Sequence, residues 1–238
     1  MKHIFCSSFF LLFALALSAQ KVVNDPNAEA RPVGAFHALS ISSAFEVHLT
    51  QGAEDAVAVS AGDQQDMADI KTEVKDGVLK IYFQPAQKKS WSRNHKLKAY
   101  VSARMLDRIT ISGATNVTVD GALTATGLKL NLSGASKLKG RLVVSGPMDV
   151  QLSGASDIEV TGSANEMNIN ASGASDVRAY EFTAATCKID ASGASSVRLT
   201  IDKELSAKLS GASSVSYKGG ALIRDIKTSG ASSISKKS

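Results

Sequence analysis

Seven copies of Ser-Gly-Ala punctuate the second half of the chain, starting at Ser112, Ser133, Ser153, Ser172, Ser192, Ser210 and Ser229. The steps between starts are 21, 20, 19, 20, 18 and 19 residues. A period near 20 that tolerates single-residue slips belongs to a solenoid, where each repeat is one coil. Three residues before each serine stand Ile109, Leu130, Val150, Ile169, Ile189, Ala207 and Ile226, and five after it stand Val117, Leu138, Ile158, Val177, Val197, Val215 and Ile234. The residue just before each serine is also mostly apolar, from Ile111 to Leu209, whereas Asn131, Gln151, Asn170 and Asp190 between them are polar. Apolar residues two apart describe half-buried strands, because side chains alternate faces along a strand.

With the residue that follows, the motif is Ser-Gly-Ala-Ser in every copy but the first, and this tetrapeptide reads as a corner between two such strands. Glycine adopts the backbone angles of a sharp bend without steric cost. The alanine is expected to point into the corner, and the serine hydroxyls to bond turn backbone groups. Coils of this length predict an all-β, right-handed parallel β-helix with a less regular β region at its N-terminal side. A nucleophilic serine needs a partnered base, and no histidine lies beyond His95. The serines are read as structural.

In chain order, residues 1–19 have the pattern of a signal peptide: Lys2, an apolar run from Phe9 to Leu17, and a small-residue site at Leu17-Ser18-Ala19. The run is too short to span a bilayer, and no second apolar run of spanning length follows, so the mature chain has no predicted transmembrane segment. Export to the periplasm, the outer surface or the medium is expected. Residues 20–33, with Pro26 and Pro32 among polar neighbours, read as a leader or linker. Residues 34–105 read as irregular N-terminal coils and 106–235 as the repeat coils. Within the first part, Leu39 to Ala44 imitates the later corner and starts a degenerate coil. Ala56–Ser60 and Lys71–Val74 are predicted strands, Asp63–Asp69 a helical turn, and Asp76-Gly77 a hairpin turn.

The net charge of +5 falls to +4 once Lys2 is removed, a weak argument for nucleic acid as a partner. Without Cys6, Cys187 is the sole cysteine, so no intramolecular disulfide is expected. It shares the column of Leu128, Met148, Met167 and Leu205, which predicts a core residue.

The stretch Phe36 to Phe83 carries H-A-L-S-I-S-S-A-F-E-V-H-L-T-Q-G and D-G-V-L-K-I, and the strands after it lead into I-S-G-A. Over about residues 34–235 the chain closely resembles the head GIN domain family, adhesin-type exported proteins of Bacteroidetes-type bacteria. That resemblance implies a β-helical head and a surface or periplasmic setting. It brings no established catalytic or binding residues.

Three features stand out as possible sites. Lys88, Lys89, Trp91, Arg93, His95 and Lys96, with Lys98 close by, join the only tryptophan to dense positive charge. Such a segment suits an acidic glycan or another cell-surface component, through charge and ring stacking; the plain alternative is a solvated polar loop. Asp157 and Asp176 fall in one outward column of adjacent coils and are weak candidates for a metal ion or for acid–base chemistry on a sugar. Ile234 to Ser238, with Lys236 and Lys237, suits the blunting of a last strand edge, or docking of a partner domain. The leading expectation is an exported non-enzymatic adhesin-like or binding module without cofactor. The alternative is a β-helical polysaccharide-active enzyme, a lyase or hydrolase.

Overall fold

The computed structural model describes residues 25–85 and 96–238. The proposed signal peptide lies outside these residues. Strands β1 (Glu29–Arg31), β2 (Ala38–Ile41), β3 (Phe45–Gln51) and β4 (Ala56–Ser60) precede a 3-10 turn at Gln64–Asp69. There follow β5 (Ile70–Lys75), β6 (Val78–Phe83), β7 (Leu97–Ala103), β8 (Arg108–Ile111), β9 (Asn116–Ala125) and β10 (Leu128–Leu132). The regular coils are β11 (Lys137–Leu152), β12 (Asp157–Ala171), β13 (Asp176–Ala191) and β14 (Ser196–Leu209). Strands β15 (Ser214–Lys218), β16 (Leu222–Thr228) and β17 (Ser233–Lys236) end the stack.

The architecture is a parallel β-solenoid of about 6 turns with coils of about 20 residues. Equivalent positions of successive repeats sit side by side: Leu130 on Val150, Val150 on Ile169, Ile169 on Ile189. These residues are fully or almost fully buried, and stacking them makes one continuous core along the axis. A single coil cannot bury its apolar face alone, so the neighbours supply the hydrophobic stabilisation. Cys187 is buried between Met167 and Leu205, and desolvation pushes its thiol well above the ordinary range. It is a core residue.

The corners differ from expectation in one respect. Ala135, Ala155, Ala174, Ala194 and Ala212 face solvent, and the fourth residue of the motif is the buried one. Ser136, Ser156, Ser175, Ser195 and Ser213 are each at most 1% exposed. Each donates its hydroxyl to the carbonyl of the serine three residues earlier, at 2.7–2.8 Å. A buried hydroxyl must be paired, and this local bond pairs it without help from another coil. The glycine between takes positive φ, near +76° at Gly173, to make the bend, while the count by two continues across it from Ala171 to Ser175 and leaves the alanine outward. Between coils, the amide of each alanine donates to the carbonyl of the glycine in the coil before, at 2.7–2.8 Å from Ala135 to Ala212. Ser43, with φ +91°, occupies the equivalent place in the first coil and accepts from Ala114.

The N-terminal side is a cap. Strands β5 and β6 form an antiparallel hairpin through Asp76 and Gly77, both at positive φ, as the Asp-Gly pair predicts. Strand β4 runs antiparallel to β7, and β1 antiparallel to β4. Glu29–Arg31 is therefore a sheet strand and not part of a linker. At the other end, β16 pairs only with β14 and β17 only with β15 among the described residues. Leu222 and Ile223 in this last coil are 65% and 52% exposed.

Candidate functional site

Of the basic segment, Lys88, Lys89, Trp91, Arg93 and His95 lie outside the described residues. Lys96 is exposed at the margin. Lys98 belongs to strand β7, in register with Glu46 on one side and Ser60 on the other. It is a strand residue, one step removed from the segment it adjoins in sequence.

Asp157 and Asp176 do stand side by side in register, with Lys137 beyond the first and Ser196 beyond the second. Asp176 is held by Arg178 at 2.9 Å and faces Arg198 at 3.8 Å. Its side chain is 19% exposed. Glu159 is paired with Lys137 at 3.2 Å and Lys139 at 3.1 Å, and these lysines hold its carboxyl below the usual range. Arg178 thus serves Asp176 rather than its register neighbour Glu159. Among the described residues no three His, Cys, Asp or Glu side chains converge as a metal site would require.

A second titratable group went unseen in the sequence, because it joins distant strands. His48 on β3 stacks against Tyr100 on β7, with centroids 5.4 Å apart and planes 14° from parallel. His48 also approaches Glu46 at 3.6 Å and Asp120 at 3.4 Å. The Tyr100 hydroxyl donates to Asp25 at 2.9 Å, and Ser60 donates to the same carboxylate oxygen at 2.8 Å. Burial, then the bond to Asp25, pushes the Tyr100 hydroxyl up to about 12. The bonds from Ser60 and Tyr100 hold Asp25 below its ordinary value. The arrangement fastens the start of the described chain onto the cap.

The feature with the form of a binding site is a shallow groove of about 660 Å³ along the flank of the repeat coils. One wall is the column Thr110, Asn131, Gln151, Asn170 and Asp190; the other is the outward serines Ser133, Ser153, Ser172 and Ser192. Each residue of the first wall is in register with its neighbour in the next coil. Rows in such a stack are spaced by about 4.8 Å, the distance between paired strands. The solvent-facing amides of Asn131, Gln151 and Asn170 have no hydrogen-bond partner among the described residues, and Asp190 has no ion pair. Beyond the groove the same column continues to Lys208 and Lys227 at one end, and through Ser40 to Lys80 at the other. The sequence showed this column as polar and outward; its signal was three neutral amides in successive coils.

Fold and groove together define a capped parallel β-solenoid with a polar, repeating flank. Residues 35–221 match the family described as "Putative auto-transporter adhesin, head GIN domain", and the chain belongs to that family. No curated protein matches it. Among solved structures, a "putative adhesin" from Bacteroides fragilis is similar with a TM-score of 0.81 at 20% identity, covering 88% of this chain and 96% of that one. A "putative adhesin" from Parabacteroides distasonis is similar with a TM-score of 0.65 at 18% identity, covering 88% and 96%. A "Putative lipid binding protein" from the same species is similar with a TM-score of 0.63 at 18% identity, covering 90% and 98%. At these identities the likeness is one of fold.

Proposed function

We propose that the chain is an exported, non-enzymatic binding module of the bacterial cell envelope, acting in the manner of an adhesin. The observation that carries this reading is the groove: side-chain amides without internal partners among the described residues, at Asn131, Gln151 and Asn170 in successive coils of a stacked frame. A rigid frame holds its contact groups in place before the ligand arrives, which lowers the ordering cost of binding. Family membership supports the adhesin class, and among the described residues no helix is long and apolar enough to cross a membrane. The lyase or hydrolase alternative gains nothing from Asp176, which is committed to Arg178 and Arg198. The test is purified residues 20–238 applied to glycan arrays and to isolated envelope preparations, with reducing-end release measured in parallel. Saturable binding without product supports the module; turnover of any polysaccharide overturns the non-enzymatic part.

A second contact is proposed at Lys88, Lys89, Trp91, Arg93, His95 and Lys96, for an acidic glycan or other anionic surface component. The composition of this segment supports it: positive charge attracts the polymer and an indole ring gives it a stacking face. Binding there should weaken steeply as salt is raised and again in Trp91→Ala. Affinity that ignores both changes would remove this contact from the reading.

A further inference from the structure

We infer that the groove along β8 and β10 to β13 takes an extended, uncharged polysaccharide laid parallel to the solenoid axis. The inference rests on the proposed binding role and names the ligand class and residues for it. Three properties of the groove select that class. Among the described residues its only ionisable lining residue is Asp190, at one end, so neither a polyanion nor a polycation finds matching charge within it. Its free groups are side-chain amides, which present donors and an acceptor side by side, facing a row of hydroxyls that can do both, of which Ser172 already donates to the Leu152 carbonyl. Sugar hydroxyls have the same double character, so one amide answers a pair of neighbouring hydroxyls.

The third property concerns the backbone. Strands β8, β10, β11, β12 and β13 are paired on both sides, so no free strand edge opens into the groove. A peptide ligand recognised by strand addition needs such an edge. A polysaccharide needs only the repeat. Five coils from Thr110 to Asp190 span four steps, roughly 19 Å at strand spacing, room for a short run of sugar rings.

The test is calorimetric titration of residues 20–238 with neutral β-linked gluco- and manno-oligosaccharides of increasing length, with oligogalacturonate as the acidic comparison. The expected result is binding of a neutral series that tightens with length and levels off once the oligomer spans the five coils. Raising salt should leave this affinity unchanged. The variant Asn131→Ala/Gln151→Ala/Asn170→Ala should lose about tenfold or more, since several hydrogen bonds go at once. Its melting temperature should hold, because these side chains have no internal partner. If the triple variant does not fold, single Asn170→Asp serves instead, with a smaller loss on the same neutral oligomers. Ala155→Glu, on the exposed corner, is the control and should bind as before.

Neutral oligomers that bind the triple variant as tightly as the parent overturn the inference. So does binding confined to the acidic oligomer and lost with salt, which points to the basic segment instead. Binding to envelope preparations without any neutral glycan sinks the inference and spares the proposed function. Absence of binding to every preparation sinks both.

Discussion

A corner glycine does two jobs, which comparison with a positive-φ glycine inside strand β9 separates. At Gly173 a Cβ would stand 2.4 Å from the Gly154 carbonyl oxygen, on a backbone with φ +76°. At Gly121 the backbone also has positive φ, +87°, yet a Cβ there meets nothing within 4 Å. Gly121→Ala should therefore cost about 1–2 kcal/mol, the left-handed penalty alone. Gly173→Ala should cost about 3 kcal/mol or more, because the coil beneath must move as well. Urea titration measures both, and equal losses would mean that close stacking at the corner contributes nothing. Ser175→Ala should cost about 1 kcal/mol for its buried bond to the Ser172 carbonyl. Ala174→Lys should be nearly neutral, within about 0.5 kcal/mol, since that position is exposed. This last outcome reverses the expectation that the alanine points into the corner. Counting by two in fact holds through the corner, since Ile169, Ala171, Ser175 and Val177 are all buried and Ala174 falls in the outward phase.

Strand elements were legible where they were local or periodic. The Asp76-Gly77 hairpin and the columns of Ile, Leu and Val carried their own signals. Strand β1 did not, because Glu29–Arg31 pairs with Val57–Val59 across a long interval and two prolines flank it. The carboxylates of the outward columns now part company. Asp157→Asn should leave stability unchanged or slightly higher, as it relieves a like-charge neighbour in register. Asp176→Asn should lose about 0.5–1 kcal/mol, since it strips two arginines of their partner. Calcium should leave the parent melting temperature where it was; a rise abolished by both substitutions would mark a metal site. The cap has its own signature in alkali. Tyr100 is an acid whose hydroxyl is raised in the folded state from 10.0 to about 12, so folding favours its neutral form. Its contribution is complete below pH 10 and is lost as pH climbs through 10 to 12. In Tyr100→Phe that part of the stability–pH slope should vanish, as read by urea midpoints across the window. Asp25 works in the opposite sense: its contribution is present above its ordinary 3.8 and fades as pH falls.

The molecule as a whole is a column of near-identical floors, and this was the most legible level of all, since a period of about 20 residues permits little else. The groove was less so: Asn131, Gln151 and Asn170 could be placed on the outside, but concavity depends on how the strands curve. Because each coil touches only its neighbours, whole coils should be removable. Deleting residues 153–171 joins Leu152 to Ser172 and returns each surviving corner to the same register. The shortened chain should keep its strand circular dichroism and unfold cooperatively at a lower urea midpoint; collapse to an unfolded chain would show the coils are not interchangeable. A different consequence follows from the direction of the ladders. The hydrogen bonds between coils run along the long axis, while the covalent chain circles around it. Tension applied between the two ends therefore falls on those bonds, and the Leu222–Lys236 coil, with a single neighbour among the described residues, is the first to part. Each coil that detaches frees about 20 residues, roughly 70 Å of slack at full extension. A load between the two ends would then be met by stepwise lengthening, one turn at a time, while the remaining turns stay stacked.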